Sequence, residues 1–468
     1  MPYFFENLSR FGGKLAVMGD EQLTYSALES EADGIGSLMQ ERSLAFCACS
    51  NTAESLAAYI GMLRRSVVVM MLDEALDRGL LFRLVEAYSP NYIWCDSTRA
   101  LDFKGWIPLK DTGRNSLLEN PSFLRTAAHH GLALMLTTSG STGSPKFVRL
   151  SYKNISANAE AIAEVLEISP EDRPYCALPM NYTYGLSVMH SHLLYGASLI
   201  MSRSQIMTRE FWNIFSESGA TSLAGVPYTY EILKKIGFLE MDLPSLKAMT
   251  VSGGRLDKRL ALEFALSCRQ KGIRFYSMYG QTEATARMAC LPHEMAVEKA
   301  GSIGKAVPGG EISLINEEGK RITVPGEVGE IVYRGENVSL GYATNRLDLV
   351  KGDENKGVLK TGDMAEFDSD GFFYIKGRRK RFLKMYGKRV NLDEVEEILS
   401  NCGYVCGCIG VDDNMRIFTS DDRLLEIKRK ISAKLGISPS GIKVERIEGL
   451  PRSSSGKVLY SLLEARDA

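Results

Sequence analysis

The stretch Leu132-Ala133-Leu134-Met135-Leu136-Thr137-Thr138-Ser139-Gly140-Ser141-Thr142-Gly143-Ser144-Pro145-Lys146-Phe147-Val148-Arg149-Leu150 decides the class of fold. Its first five residues are too few and too apolar for a surface helix, so they read as an interior strand covered on both faces. Val67-Val68-Val69-Met70-Met71-Leu72 reads the same way, and so does Leu44-Ala45-Phe46-Cys47-Ala48-Cys49. Between such runs the period changes. Behind Ser151, a helix N-cap by type, Ile155, Ala159, Ile162, Ala163 and Leu166 follow at helical spacing. Short buried strands alternating with helices define an α/β protein.

The segment between the two strands carries the chemistry. Glycines at 140 and 143 let the backbone approach a phosphate, flanking hydroxyls supply donors, and Lys146 adds a point charge. The P-loop NTPase spacing, Gly-x-x-x-x-Gly-Lys-Ser/Thr, is not met. Gly/Ser composition alone also fits a surface loop. Two hydroxyl-flanked glycines and a lysine directly after a buried strand favour a triphosphate clamp.

Working outward, the pattern changes near residue 310. Glu311–Ile315 and Glu330–Tyr333 alternate as half-exposed strands between Gly- and Pro-containing turns, a small β-rich lobe. The basic run Lys376-Gly377-Arg378-Arg379-Lys380-Arg381-Phe382-Leu383-Lys384 follows and reads as an ordered junction, because apolar residues interrupt its charge. Leu392, Val395 and Leu399 then share a helix face, and a second helix covers Leu424 to Leu435. The fold expected is a large N-terminal α/β body with the small β-rich lobe (1–379), then a small α/β domain (380–468).

The 468 residues carry 56 Lys+Arg against 57 Asp+Glu, a net charge of −1. That balance excludes the broad positive field of a non-specific nucleic-acid binder. Met1-Pro2-Tyr3-Phe4-Phe5 runs straight into Glu6-Asn7, so no signal-peptide core is expected there. No apolar run approaches the ~18–20 residues of a membrane span. Nine cysteines over this length do not make a disulfide framework. The pair Cys47/Cys49 reads as strand interior, and Cys402/Cys406/Cys408 lack partners at zinc spacing. A cytoplasmic protein is expected.

Four further motifs stand in order behind the Gly/Ser segment. They are Tyr279-Gly280-Gln281-Thr282-Glu283, Lys360-Thr361-Gly362-Asp363, Gly377-Arg378 and Pro451-Arg452-Ser453-Ser454-Ser455-Gly456-Lys457. From roughly residue 20 to the C-terminus the chain thereby resembles the acyl-adenylate-forming, AMP-binding superfamily. That superfamily includes acyl- and aryl-CoA synthetases, nonribosomal peptide adenylation domains and firefly luciferase. Any one motif could be chance; the ordered set is specific.

The resemblance implies ATP and Mg2+ as reactants and a role for each matched residue. Thr138, Ser139, Gly140, Ser141, Thr142, Gly143 and Lys146 would hold the triphosphate. Thr282 and Glu283 would offer Mg2+ the hard oxygens it prefers, although Thr-Glu in isolation is also a helix start. Tyr279 would stack on adenine, Gly253 and Gly254 would pass alongside it, and Asp363 and Arg378 would reach the ribose. Lys457 would be the catalytic cation, stabilising charge on the transferring oxygens. Lys380 would be the pivot of a mobile C-terminal domain. After rotation Lys384 and Gly387 would face the acceptor, with Gly387 leaving it room.

Leu178-Pro179-Met180-Asn181-Tyr182-Thr183-Tyr184-Gly185 corresponds to the segment lining the acid pocket. Tyr182, Tyr184, Gly185, Val226 and Met278 are the expected lining, with Pro227 and Tyr228 beside Val226. Amino-acid-activating relatives carry an Asp after an aromatic here, whereas Gly185 follows Tyr184. An acid without an α-amine is therefore expected, since a buried ammonium would lack a counter-charge. Ser277-Met278 replaces the Asn or Gln-Gly that many relatives have ahead of the Tyr-Gly element.

The expected reaction is acyl-AMP formation with pyrophosphate release. Acyl transfer follows to CoA or a carrier-protein thiol, or, in an amide ligase, to an amine. A nucleotide-binding sensor without catalysis is the alternative of another class; the presence of both Lys457 and Glu283 counts against it.

Overall fold

The computed structural model describes residues 3–122, 128–137, 146–452 and 458–467. They form two compact units, Met1–Glu311 with Arg334–Leu359, and Ile312–Tyr333 with Lys360–Ala468.

In the first unit the strand Leu132–Thr137 lies inside an eight-stranded sheet. It is parallel to Val68–Asp73 on one side and antiparallel to Phe147–Ser151 on the other. Leu44–Cys49 is fully buried there, with Cys47 and Cys49 as interior side chains. A nine-stranded sheet has Pro174–Tyr175, Ser222–Gly225, Ala248–Val251 and Arg274–Tyr279 as a parallel series.

Four helices, Tyr25–Gly36, Ala53–Arg64, Tyr152–Leu166 and Thr183–Leu194, share one core with both sheets. The outer faces are covered by Arg78–Tyr88 on the smaller sheet, and by Arg209–Glu217, Pro227–Lys235 and Lys258–Gln270 on the larger. Ser151 caps the third helix as expected, in a reciprocal pair with Asn154. Thr183–Leu194 is buried at every position, so its sequence shows no amphipathic stripe.

The second unit holds a five-stranded sheet containing Gly310–Ile315, Gly329–Gly335, Val358–Phe367 and Phe373–Arg378. A hairpin follows, Phe382–Met385 with Lys388–Asn391, then the helix Leu392–Ser400. Cys406–Val411, Asn414–Thr419 and Ile442–Arg446 form a three-stranded sheet, packed with Leu424–Leu435 in a core of its own. The β-rich lobe is thus compact with the C-terminal part of the chain. The expected boundary at 379/380 lies inside this unit, at the turn Arg379–Arg381. Among the described residues no helix is long and apolar enough to cross a membrane.

Candidate active site

Parallel strands of an open α/β sheet present ligand sites beyond their carboxyl ends. Here those ends lead into Val226, Ser252-Gly253-Gly254 and Gly280. Tyr182 lies directly over Gly253: a Cβ there would stand 2.3 Å from the Tyr182 Oη and 3.4 Å from a Val226 methyl. Gly254 faces Pro227 in the same way, at 3.2 Å. The Tyr184 hydroxyl bonds to the Thr250 carbonyl at 3.0 Å and to its Oγ1 at 2.7 Å. Tyr184 and Val226 share a buried cluster with Leu178, Val188 and Ala224, against which Tyr182 packs.

Gly185 has a packing cause. A Cβ at that position would lie 2.3 Å from the Pro179 carbonyl oxygen and 2.8 Å from that of Leu178. Any side chain there would be driven into backbone. The missing carboxylate at 185 therefore reflects helix packing and does not by itself select the acid.

After Tyr279 the chain makes a short turn, Thr282–Ala284. The Thr282 Oγ1 lies 2.9 Å from that of Thr183. Glu283 accepts a hydrogen bond from the Tyr342 hydroxyl at 2.8 Å. On the ring of that tyrosine sits the Lys146 ammonium, 3.4 Å from the centroid. Burial first, and then the charge of Glu283, raise the phenol's pKa, which keeps it a donor.

Tyr342 owes its place to Arg149. Its strand, Gly341–Ala343, pairs with Phe147–Ser151. The buried Arg149 donates to the carbonyls of Tyr342, Leu340, Lys351 and Gly352, and forms a 2.6 Å ion pair with Glu354. Lys146, Tyr342, Glu283, Thr282 and Thr183 are thereby one connected polar line. Thr138, Ser139, Gly140, Ser141, Thr142, Gly143 and Lys457 lie outside the described residues.

In the second unit Asp363 and Arg378 are opposite each other in register, and Arg378 Nε donates to Asp363 Oδ1 at 3.1 Å. Asp363 is 5% exposed, so this pair fixes the carboxylate. Lys380 is exposed in its turn. Lys384 is exposed too, with its backbone N–H on Asp412 at 2.7 Å. Gly387 completes a two-residue hairpin with Tyr386, at φ of 83° and 51°, the geometry of a type I′ turn. The turn alone requires glycine there, and the space around its Cβ position is open.

Four residues of the site have no motif behind them. Tyr342 and Arg149 are joined to it only through the folded sheet, and Thr183, although inside the pocket segment, only through the start of its helix. Arg287 had a signal: it is a lone charge in the otherwise apolar run Ala286-Arg287-Met288-Ala289-Cys290-Leu291. It lies 1% exposed, its guanidinium carbon 4.8 Å from the Tyr184 ring centroid and its Nη1 3.1 Å from the Met278 sulfur.

Two covered α/β sheets with a lysine, a carboxylate and hydroxyls near their strand ends match what a nucleotide-dependent α/β enzyme requires. The model of the AMP-binding enzyme family matches residues 4–343. The chain belongs to that family, and it is an ATP-dependent, AMP-forming acid ligase.

Among curated relatives, the 2-succinylbenzoate–CoA ligase of Bacillus pumilus (strain SAFR-032) is 28% identical over 74% of this chain and 70% of its own length. That of Geobacillus sp. (strain WCH70) is 29% identical over 80% and 77%. Among solved structures, the o-succinylbenzoate CoA synthetase of Bacillus subtilis with its acyl-adenylate superposes with a TM-score of 0.81. It is 22% identical, covering 99% of this chain and 98% of that one. An anthranilate CoA ligase in complex with anthranoyl-AMP gives 0.79 at 18% identity, covering 99% and 97%.

Proposed function

We propose that this chain uses ATP and Mg2+ to convert a carboxylic acid lacking an α-amine to its acyl-adenylate, and then passes the acyl group to the thiol of CoA. The observation that carries it is the line Lys146–Tyr342–Glu283 beside Thr282, a cation and a hard anionic oxygen held by one tyrosine, the pair that a phosphate chain and its Mg2+ would need. The CoA ligases among its relatives support the acceptor. The cation facing Tyr184 is Arg287, so a buried ammonium beside it would be repelled.

In the first step a carboxylate oxygen attacks the α-phosphorus, and the bond to the leaving pyrophosphate breaks with its electron pair. Thr138, Ser139, Gly140, Ser141, Thr142, Gly143 and Lys146 cradle the phosphates. Tyr279, Gly253 and Gly254 bind adenine, and Asp363 and Arg378 the ribose. Glu283 and Thr282 offer the hard oxygens that would hold Mg2+, and the ion, when bound, would supply charge neutralisation for the leaving pyrophosphate. Lys457 stabilises the oxygens of the transferring phosphoryl group. Tyr182, Tyr184, Gly185, Val226 and Met278 line the acid pocket, the glycine by letting the helix approach.

In the second step the CoA sulfur attacks the acyl carbon, losing its proton, and AMP leaves. The C-terminal part from Lys380 onward turns to bring Lys384 and Gly387 to this step. We place the reaction in the cytoplasm, where nine free cysteines stay reduced.

The test is acid-dependent exchange of pyrophosphate into ATP, followed by addition of CoA, a carrier protein or amines to the best acid. AMP and pyrophosphate are the expected products, with CoA the productive acceptor. Acid-dependent ADP and phosphate would overturn adenylation; turnover with an amine or carrier thiol but not CoA would overturn the acceptor.

A further inference from the structure

Buried arginines in this protein are normally well supplied with acceptors. Arg149 has four carbonyls and Glu354, and Arg346 donates to the carbonyls of Tyr88 and Ser89 and to Asn91. Arg287 is different. Among the described residues its Nη1 meets only the Met278 thioether, a weak acceptor, and its Nε, like that of Arg346, has no hydrogen-bond partner, so no carbonyl or amide oxygen takes up its charge as those around Arg346 do. Among the described residues no carboxylate pairs with it; the neighbours acting on its charge are Tyr184 and Cys290. A guanidinium stays protonated in a protein, so burial leaves a cation without a counter-charge.

The backbone holds it there firmly. Thr285 adopts a φ of 66°, unusual for a β-branched residue, with its hydroxyl donating to the Asn337 carbonyl at 2.6 Å. The chain then doubles back so closely that a Cβ on Gly280 would stand 1.6 Å from the Ala286 carbonyl oxygen. Asn158 takes the Arg287 N–H at 3.3 Å and donates to its carbonyl at 2.7 Å. This fold inserts Arg287 directly behind Tyr184 and Met278. Both belong to the pocket assigned to the acid.

We infer that Arg287 is the receptor for a second anionic group on the acid substrate, which is therefore a dicarboxylic acid. One carboxylate is activated while the other docks on the guanidinium between Tyr184 and Met278. This rests on the acid-pocket assignment of the proposed function. A planar guanidinium matches a carboxylate with two parallel donors, and Nε with an Nη edge offers them. An acid with a neutral tail would leave the buried cation unpaired, so such a site rejects the analogue as well as selecting the substrate.

The experiment compares pyrophosphate exchange for aliphatic and aromatic dicarboxylic acids, each beside its monoamide, in the wild type, Arg287→Lys and Arg287→Met. In the wild type at least one dicarboxylic acid should exceed its monoamide by more than ~10-fold in kcat/KM, expressed mainly in the KM for the acid. In Arg287→Met that ratio should fall towards one, with Arg287→Lys between. Monoamides equal to or better than the diacids in the wild type, or an unchanged ratio in a folded Arg287→Met, would overturn the inference. Should the variants fail to fold, the wild-type ratio decides it alone. Exchange with no acid at all would overturn the proposed function, and this inference with it.

Discussion

Tyr342 governs two charges of opposite sign, its hydroxyl donating to Glu283 while its ring holds the Lys146 ammonium. The two roles separate by substitution. Tyr342→Phe keeps the ring and removes the donor, so Glu283 loses its orienting partner. The Mg2+ concentration for half-maximal exchange should rise about 10-fold, the usual cost of losing a group that orients a metal ligand. The KM for ATP should change less. Tyr342→Leu should add a rise in the KM for ATP, because Lys146 then loses its platform. A Mg2+ titration of exchange with each variant checks this; an unaltered Mg2+ dependence in Tyr342→Phe would count against it. No sequence spacing joins Tyr342 to Glu283, 59 positions away. Motifs reveal what is local, such as Thr282-Glu283, whereas pairings made by sheet register are legible only once the strand Gly341–Ala343 is seen beside Phe147–Ser151.

Short apolar strands and helices with one buried face were legible, and a helix buried all round was not. The run Leu132–Leu136, the Ser151 cap and the helix Leu424–Leu435 fall where pattern places them. The helix Thr183–Leu194 did not announce itself, because a helix packed on every face has no period to read. Side-chain networks between elements are equally silent. In the second unit Arg381 pairs with Asp393 at 2.5 Å and with Glu396 at 2.7 Å. Tyr460, three residues beyond Lys457, donates to the same Glu396 at 2.8 Å. Its ring lies under the Arg381 guanidinium at 4.0 Å. Burial raises the Glu396 carboxyl, against the opposing pull of Arg381, so every donor it receives matters. Tyr460→Phe leaves the ring and removes one donor, at a cost of about 1–3 kcal/mol. Hydrogen exchange should quicken in Leu392–Ser400 and Tyr460–Glu464; protection equal to the wild type there would show that this bond contributes nothing to docking the C-terminal helix.

At the scale of the whole molecule, two properties follow from where groups are buried. His190 and His192 are buried in the first unit, and desolvation depresses them to about 3 and about 4 from 6.5. Above pH 6.5 both are neutral, folded or unfolded, and stability does not depend on them. As pH falls below 6.5 the unfolded chain takes up protons that the folded chain refuses, so stability declines until pH reaches about 4 for His192 and about 3 for His190. Each contributes about 1.4 kcal/mol of loss per pH unit in that window. His190→Asn should flatten the fall of the melting temperature between pH 6.5 and 5; a slope equal to the wild type's would reject this source of acid sensitivity. The second property concerns the turn at Lys380. It joins two pieces of one unit that touch through Asn391 Nδ2 on the Lys376 carbonyl and the Arg378 N–H on Asp393 at 3.1 Å. Rotation at the turn must break both contacts, so they stabilise one arrangement at the expense of another. A proline at 380 fixes φ and removes an N–H, which restricts such rotation. Lys380→Pro should therefore form acyl-AMP at close to the wild-type rate but transfer it slowly, accumulating the intermediate. Lys457→Ala should show the opposite, with acyl-AMP formation slowed by about 10²–10³-fold and transfer from supplied acyl-AMP largely kept. Single-turnover measurement of each half-reaction decides between rotation and a single fixed site, since equal loss of both steps in both folded variants is what a fixed site requires.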